Sequence, residues 1–214
     1  MNSGGRAAVF LLATTAFLGG CGAARPSKYY QLTVPGDAIA QAQATDPAVA
    51  GQAANPPQMT LLIGNLFASH LYREDRIVYS GAGEQMGTYE YQRWAEPPTE
   101  MMQEILLRAL RSSGRYRAVH TQRSSTNGDF LLRGRLYDFK EVSENGMLAR
   151  LTVDFEMRDE KNGTTVWTHF YQHDEAVNGK NVPAVVAALD KNVQRCVNEV
   201  LESLDKYFAS HPAM

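Results

Sequence analysis

The residue with the clearest chemical purpose in this sequence is Cys21, which stands directly behind Leu18-Gly19-Gly20. A thiol is a strong nucleophile that can take a diacylglycerol thioether. Cleavage just before it frees an amine for a further acyl chain of the palmitate kind. Two or three such chains hold a protein on a membrane essentially permanently, each buried CH₂ contributing about 0.8 kcal/mol. The other residues with chemical capacity are scattered. His169 and His173 are four apart, which on a strand puts them on one face about 13 Å apart, too far to share a metal ion. Asp154 and Glu156 share a strand face at roughly 6–7 Å, a spacing a glycosidase pair could use, yet any alternating wet strand face has it. Asp138 and Glu141, near a strand end, carry no stronger signal. Cys196 falls inside a helical apolar stripe and reads as packing; with Cys21 acylated it has no partner for an internal disulfide. GxSxG, HExxH, CxxC and Gly-rich phosphate loops are all missing. No catalytic residue, metal or cofactor is therefore expected, and the chain reads as non-enzymatic.

What stands before Cys21 explains how the cysteine would be used. Arg6 and the amino terminus form a small positive region, and the uncharged stretch AAVFLLATTAFL runs from Ala7 to Leu18. This is the layout of an export signal. At helical rise the stretch spans about 18 Å, short of the roughly 30 Å hydrocarbon core. Residues 1–20 thus read as a lipoprotein signal peptide and Cys21 as the lipid attachment site. The residue after it is Gly22 rather than Asp, an address of the outer-membrane kind. With 21 basic and 23 acidic residues and a formal charge of −2, nothing favours nucleic acid as a partner.

The mature chain must supply a domain for this tether to hold. Tyr29–Val34 reads as a first strand ended by Pro35-Gly36, so residues 21–58 comprise a lipidated N-terminus, that strand and a flexible insertion. The insertion, 37–58, is Ala/Gln/Pro-rich and lacks the large side chains that offset ordering entropy; it is expected to tune the reach of the tether. The rest of the single domain occupies 59–209. Strands are expected at Met59–Leu66, Arg76–Ser80, Gln85–Tyr91 and Tyr116–Val119. For Arg76–Ser80, alternation leaves open whether Ile77 and Tyr79 or Val78 faces inward. Pro97-Pro98-Thr99 introduces a helix carrying Met102, Ile105, Leu106, Ala109 and Leu110, with Gly114 as its stop. After a polar loop at Thr121–Gly128 comes a long strand, Phe130–Lys140, interrupted by Gly134. Turns at Asn145-Gly146 and Lys161-Asn162-Gly163 then join two more strands. In the first of these, Ala149, Leu151, Val153, Phe155 and Met157 alternate with polar residues; in the second, Thr164–His173, Trp167 and Phe170 take opposite sides. A long helix, about Val182 to Phe208, closes the chain. The fold class is α+β: a two-layer sandwich with a mainly antiparallel or mixed sheet and two amphipathic helices on one face.

The segment Arg93-Trp94-Ala95-Glu96-Pro97 combines a guanidinium, an indole and a helix-starting proline. Trp94 can anchor the helix entrance against the sheet, or the segment can contact a partner or lipid. Arg93, Trp94, Tyr89 and Tyr91 are accordingly the candidate partner-contact residues.

Taken in order, these motifs resemble the ABC-transport auxiliary lipoproteins of the PqiC/YmbA type. The resemblance begins at Cys21 and continues with Tyr30-Gln31-Leu32, similar to the family's Y-x-L start. Ile77-Val78-Tyr79 is similar to its IVYR strand, with Ser80 where Arg is common. Arg93–Pro97 is similar to its RWAEPL segment, with Pro98 as a departure, and Ser113–Tyr116 to its SGxF exit. Phe130–Leu132 and Leu136–Phe139 resemble its strand ending in an acid and phenylalanine. The insertion at 37–58 is longer than the family pattern, and the last helix lacks a clear Ala/Asn-rich opening. The resemblance implies a non-enzymatic accessory of an ABC/MCE-type system, aiding phospholipid traffic between inner and outer membranes and envelope integrity. Its implied partners are an MCE-domain protein with its ABC permease complex, membrane lipid through Cys21, and phospholipid as candidate cargo. Its implied place is the outer membrane, facing the periplasm. The competing reading is an envelope structural or regulatory lipoprotein acting on a cell-wall enzyme or secretion machine.

Overall fold

The computed structural model describes residues 25–34, 59–81, 85–123, 126–144 and 146–211. The export signal, Cys21 and the 37–58 insertion lie outside the described residues.

Among the described residues, eight strands and two α-helices follow one another as β1 (Lys28–Tyr30), β2 (Thr60–Ala68), β3 (Arg76–Ser80), β4 (Met86–Trp94), α1 (Pro98–Ser112), β5 (Ala118–Thr121), β6 (Phe130–Val142), β7 (Leu148–Asp159), β8 (Thr165–Ala176) and α2 (Val182–Ser210). The helices cover one face of a single mixed sheet, the expected two-layer α+β architecture. β6, β7 and β8 form the antiparallel meander. The other edge of β6 is shared. Its first half pairs with β2 in parallel from Phe130 to Leu136, and its last residues pair with β3, also in parallel, from Lys140 to Val142. The sheet therefore forks at β6: β2 carries β5 on one branch, while β3 carries β4 and then β1 on the other. The excursion between the branches holds a 3₁₀ turn, His70–Tyr72, and drives Tyr72 into the core.

Most local expectations follow from side-chain pattern and are met. Ala149, Leu151, Val153, Phe155 and Met157 of β7 are all buried, since a strand with one wet face must send alternate residues into the core. Pro98 opens α1, and Gly114 ends it with φ of +65°, the left-handed conformation that glycine adopts without penalty. Asn181 caps α2 through its side chain, which accepts from the Ala184 N–H at 2.9 Å.

Four expectations are corrected. The first strand is three residues long because the chain leaves β4 after Tyr30; Leu32 then turns into the core and Thr33 bonds Asp190 of α2 at 2.7 and 2.8 Å. Gly134 does not interrupt β6. The strand runs through it, and the missing Cβ makes room for β7, because a Cβ there would sit 2.7 Å from the Asp154 carbonyl oxygen and 2.9 Å from the Phe155 ring. The irregularity in β6 lies further on, between Leu136 and Asp138. In β3 both Ile77 and Val78 are buried, so neither alternative assignment of faces describes the strand. Finally, the 37–58 stretch cannot tune the tether. It connects β1 to β2 within one sheet, so its length does not enter the path from Cys21 to the domain.

Candidate functional site

The candidate contact residues lie along β4 and separate into two kinds. Trp94 is 0% exposed, its ring 5.3 Å from that of Phe139. Its backbone N–H donates to the Asp75 carbonyl at 2.6 Å. The indole is thus part of the core and cannot touch a partner, which corrects its place in the contact set; it packs β4 against β6. Arg93 points the other way and pairs with Asp75 at 2.7 Å, half-exposed. Tyr89 is half-buried, donates from its hydroxyl to Glu141 Oε2 at 2.7 Å and packs in a tilted arrangement against Tyr79 with ring centroids 5.0 Å apart. Burial and that hydrogen bond to Glu141 push the Tyr89 phenol upward. Tyr91 is partly exposed, and its phenol is also raised, first by a hydrogen bond to Glu90. The structure therefore brings Tyr79, Tyr89, Tyr91 and Arg93 to one branch of the sheet. Sequence reading missed Glu141 as the anchor of this branch: it is buried and accepts from Tyr89 and, at 2.6 Å, from the Ser143 hydroxyl.

A second feature is the face of the sheet that neither α1 nor α2 covers. Phe67 pairs with Arg135, Arg135 with Asp154, and Asp154 with Phe170, forming one row across β2, β6, β7 and β8. Phe67 and Phe170 are exposed, as is Tyr137 beside them. A shallow depression of about 360 Å³ lies here, lined by Phe67, Arg133, Arg135, Tyr137, Asp154 and Glu156. Arg133 binds Glu156, and Arg150 binds Asp174 through two bonds of 2.7 Å. The Asp154–Glu156 spacing is thus that of a wet strand face laced with ion pairs. A carboxylate already held by a guanidinium is poorly suited to general acid work.

The remaining candidates stay apart. His169 and His173 both lie on the helix-facing side of β8; His169 stacks on Trp167 at 5.7 Å, and His173, partly exposed, lies 3.4 Å from Glu175. Asp138 pairs with Lys140 at 2.6 Å. Cys196 is buried in the α2 stripe and burial pushes its thiol far up, away from the reactive thiolate. Among the described residues no cluster of three metal-ligating side chains exists, and no helix is long and apolar enough to cross a membrane.

A family model described as the ABC-type transport auxiliary lipoprotein component matches residues 40–201. The fold is similar to a crystal structure of protein XCC0632 from Xanthomonas campestris, with 18% identity, 81% of this chain and 92% of that one covered, and a TM-score of 0.64. It is also similar to the crystal structure of an uncharacterized protein, at 11% identity, 84% and 99% coverage and a TM-score of 0.63. At these identities the likeness concerns the fold alone. No curated protein matches the chain.

Proposed function

The chain belongs to the ABC-type transport auxiliary lipoprotein family, and from that premise we propose that it serves an MCE-type system moving phospholipid between inner and outer membranes. The family is one of non-catalytic accessory lipoproteins, and this chain is such a component. The proposal adds the outer membrane as the place of anchoring, through acylated Cys21, and an MCE-domain protein with its permease as the partner. The family match over residues 40–201 carries the reading. A scattered set of titratable groups and an uncovered sheet face agree with a protein that works by contact. Arg93, Tyr89 and Tyr91 remain the proposed contact residues on β4, with Trp94 as their support beneath. The test is envelope permeability in cells lacking the gene. Leakage to a hydrophobic dye, restored by the intact chain and not by Cys21→Ala, supports the reading. A defect confined to cell shape or protein secretion counts against it and favours a regulatory lipoprotein of the cell wall.

A further inference from the structure

The face of the sheet left open by α1 and α2 pairs most of its own charges. Arg133 binds Glu156, Lys140 binds Asp138 at 2.6 Å, and Arg150 holds Asp174 through two bonds. One cross-strand pair stands outside this pattern. Arg135 on β6 and Asp154 on β7 are direct register partners, and among the described residues neither side chain makes an ion pair or a hydrogen bond. Arg135 is exposed and Asp154 half-buried. Directly opposed strand residues place their Cβ atoms about 4.5–5.5 Å apart. The two charges therefore stand side by side, open to the same visitor.

Their surroundings are apolar and concave. Phe67 on β2 and Phe170 on β8 end the same row, 54% and 58% exposed, and Tyr137 lies further along β6 at 49%. Arg135, Asp154, Phe67 and Tyr137 line the depression of about 360 Å³ together with Arg133 and Glu156. Glu156 neutralises Arg133, and Arg135 and Asp154 cancel. The depression thus carries no net formal charge, yet offers one unpaired cation and one unpaired anion.

That pattern selects its ligand. A simple anion meets two carboxylates here, and a simple cation meets two guanidiniums. A phosphate joined to an ammonium through a short carbon link satisfies both charges at once. The planar guanidinium takes two phosphate oxygens, while the carboxylate and the neighbouring aromatic rings suit the ammonium. We propose that Arg135 and Asp154 form a site for the headgroup of a phosphatidylethanolamine-type lipid, flanked by Phe67, Tyr137 and Phe170. The depression admits a headgroup and not two acyl chains, so the protein holds the lipid by its head without enclosing it. The site rests on the phospholipid reading above.

The test uses the full lipidated chain in dodecyl maltoside micelles. Dihexanoyl phosphatidylethanolamine or dihexanoyl phosphatidylglycerol is added, and bound lipid is counted by native mass spectrometry. Micelles take up either lipid whatever stands at positions 135 and 154, so the site is read as a difference between lipids and between variants. The unsubstituted chain is expected to hold the ethanolamine lipid about tenfold more tightly than the glycerol lipid, the scale of one charge-assisted hydrogen bond. Arg135→Gln is expected to weaken retention of both lipids, and Asp154→Asn to erase the preference. Equal retention of the two lipids by the unsubstituted chain overturns the site, and this comparison needs no variant to fold. A preference that survives both substitutions, in protein with an unchanged melting temperature, overturns it too. Displacement of the lipid by an equal concentration of free O-phosphoethanolamine overturns the lipid as ligand, because the apolar flank then contributes nothing. The site and the transport assignment fail separately: the preference can be absent while an MCE-domain partner is recovered, and present while none is.

Discussion

Tyr171 on β8 donates its hydroxyl proton to Asn192 Oδ1 on α2 at 2.6 Å, while Asn192 Nδ2 donates to the carbonyls of Ala149 and His173 at 3.0 and 2.9 Å. Asn192 is fully buried, so one side chain fixes the long helix to two strands at once. Removing one partner leaves the remaining buried polar group with its full desolvation cost uncompensated. Asn192→Leu is expected to cost about 3 kcal/mol by urea unfolding, and Tyr171→Phe about 1–2 kcal/mol. A loss under about 0.5 kcal/mol for Asn192→Leu would show that water replaces these bonds.

Gly134→Ala tests the close approach of β6 and β7. The added carbon meets backbone at 2.7 Å and the Phe155 ring at 2.9 Å, and a carbonyl in a paired strand cannot rotate away. Destabilisation of about 1–3 kcal/mol is expected, with a lowered melting temperature as the readout. Phe155→Ala in the same background cannot restore it, because the shorter contact is to the Asp154 oxygen.

Core and contact roles on β4 are separable by mutation. Trp94→Ala removes a fully buried ring and is expected to cost about 3–5 kcal/mol. Tyr91→Ala and Arg93→Ala are expected to leave the melting temperature within a few degrees while lowering recovery of the protein partner. Calorimetry and co-purification on the same three variants distinguish the two roles. Full partner recovery with both surface variants would move the contact elsewhere, to the uncovered sheet face first.

Acid weakens the edge of the sheet at β8. The bond to Arg150 holds Asp174 below its ordinary 3.8, and the bond to Lys191 at 2.5 Å holds Glu175 below 4.5. Both folded-state values are depressed, so their stabilisation is complete above these ordinary values and is lost as pH falls through the folded ones. Asp205 acts oppositely: burial raises it despite Arg115 at 2.7 Å, so mild acid relieves its penalty. Stability is expected to hold near pH 5 and to fall below about pH 4. Arg150→Gln is expected to flatten the fall by less than about 1 kcal/mol, since the pair is partly solvated and screened. Circular dichroism across pH 2–6 at low and high salt reads this directly.

The parts of the fold set by local pattern were legible in the residues. β7 and α1 each bury a clean stripe, and their ends carry the proline and glycine that such ends require. The fork at β6 was not, because pairing of β2 and β3 along one edge depends on contacts about 60 residues apart in sequence. The site was harder. Trp94 stands in a segment rich in interface residue types, and only the Phe139 ring beneath it decides that it is core. Asn192 lies three residues after Leu189 and four before Cys196, on the buried side of α2. A polar residue at that stripe position was a readable sign of a buried hydrogen-bonding node.

The central claim, an accessory lipoprotein bound to an MCE-type transport system, is tested most directly by gentle co-purification of the lipidated chain from its own cells. Mass spectrometry then identifies what comes with it, and Cys21→Ala is the control. Recovery of an MCE-domain protein or its permease, reduced in the control, is the expected result. Recovery of cell-wall enzymes or secretion components alone would contradict the account.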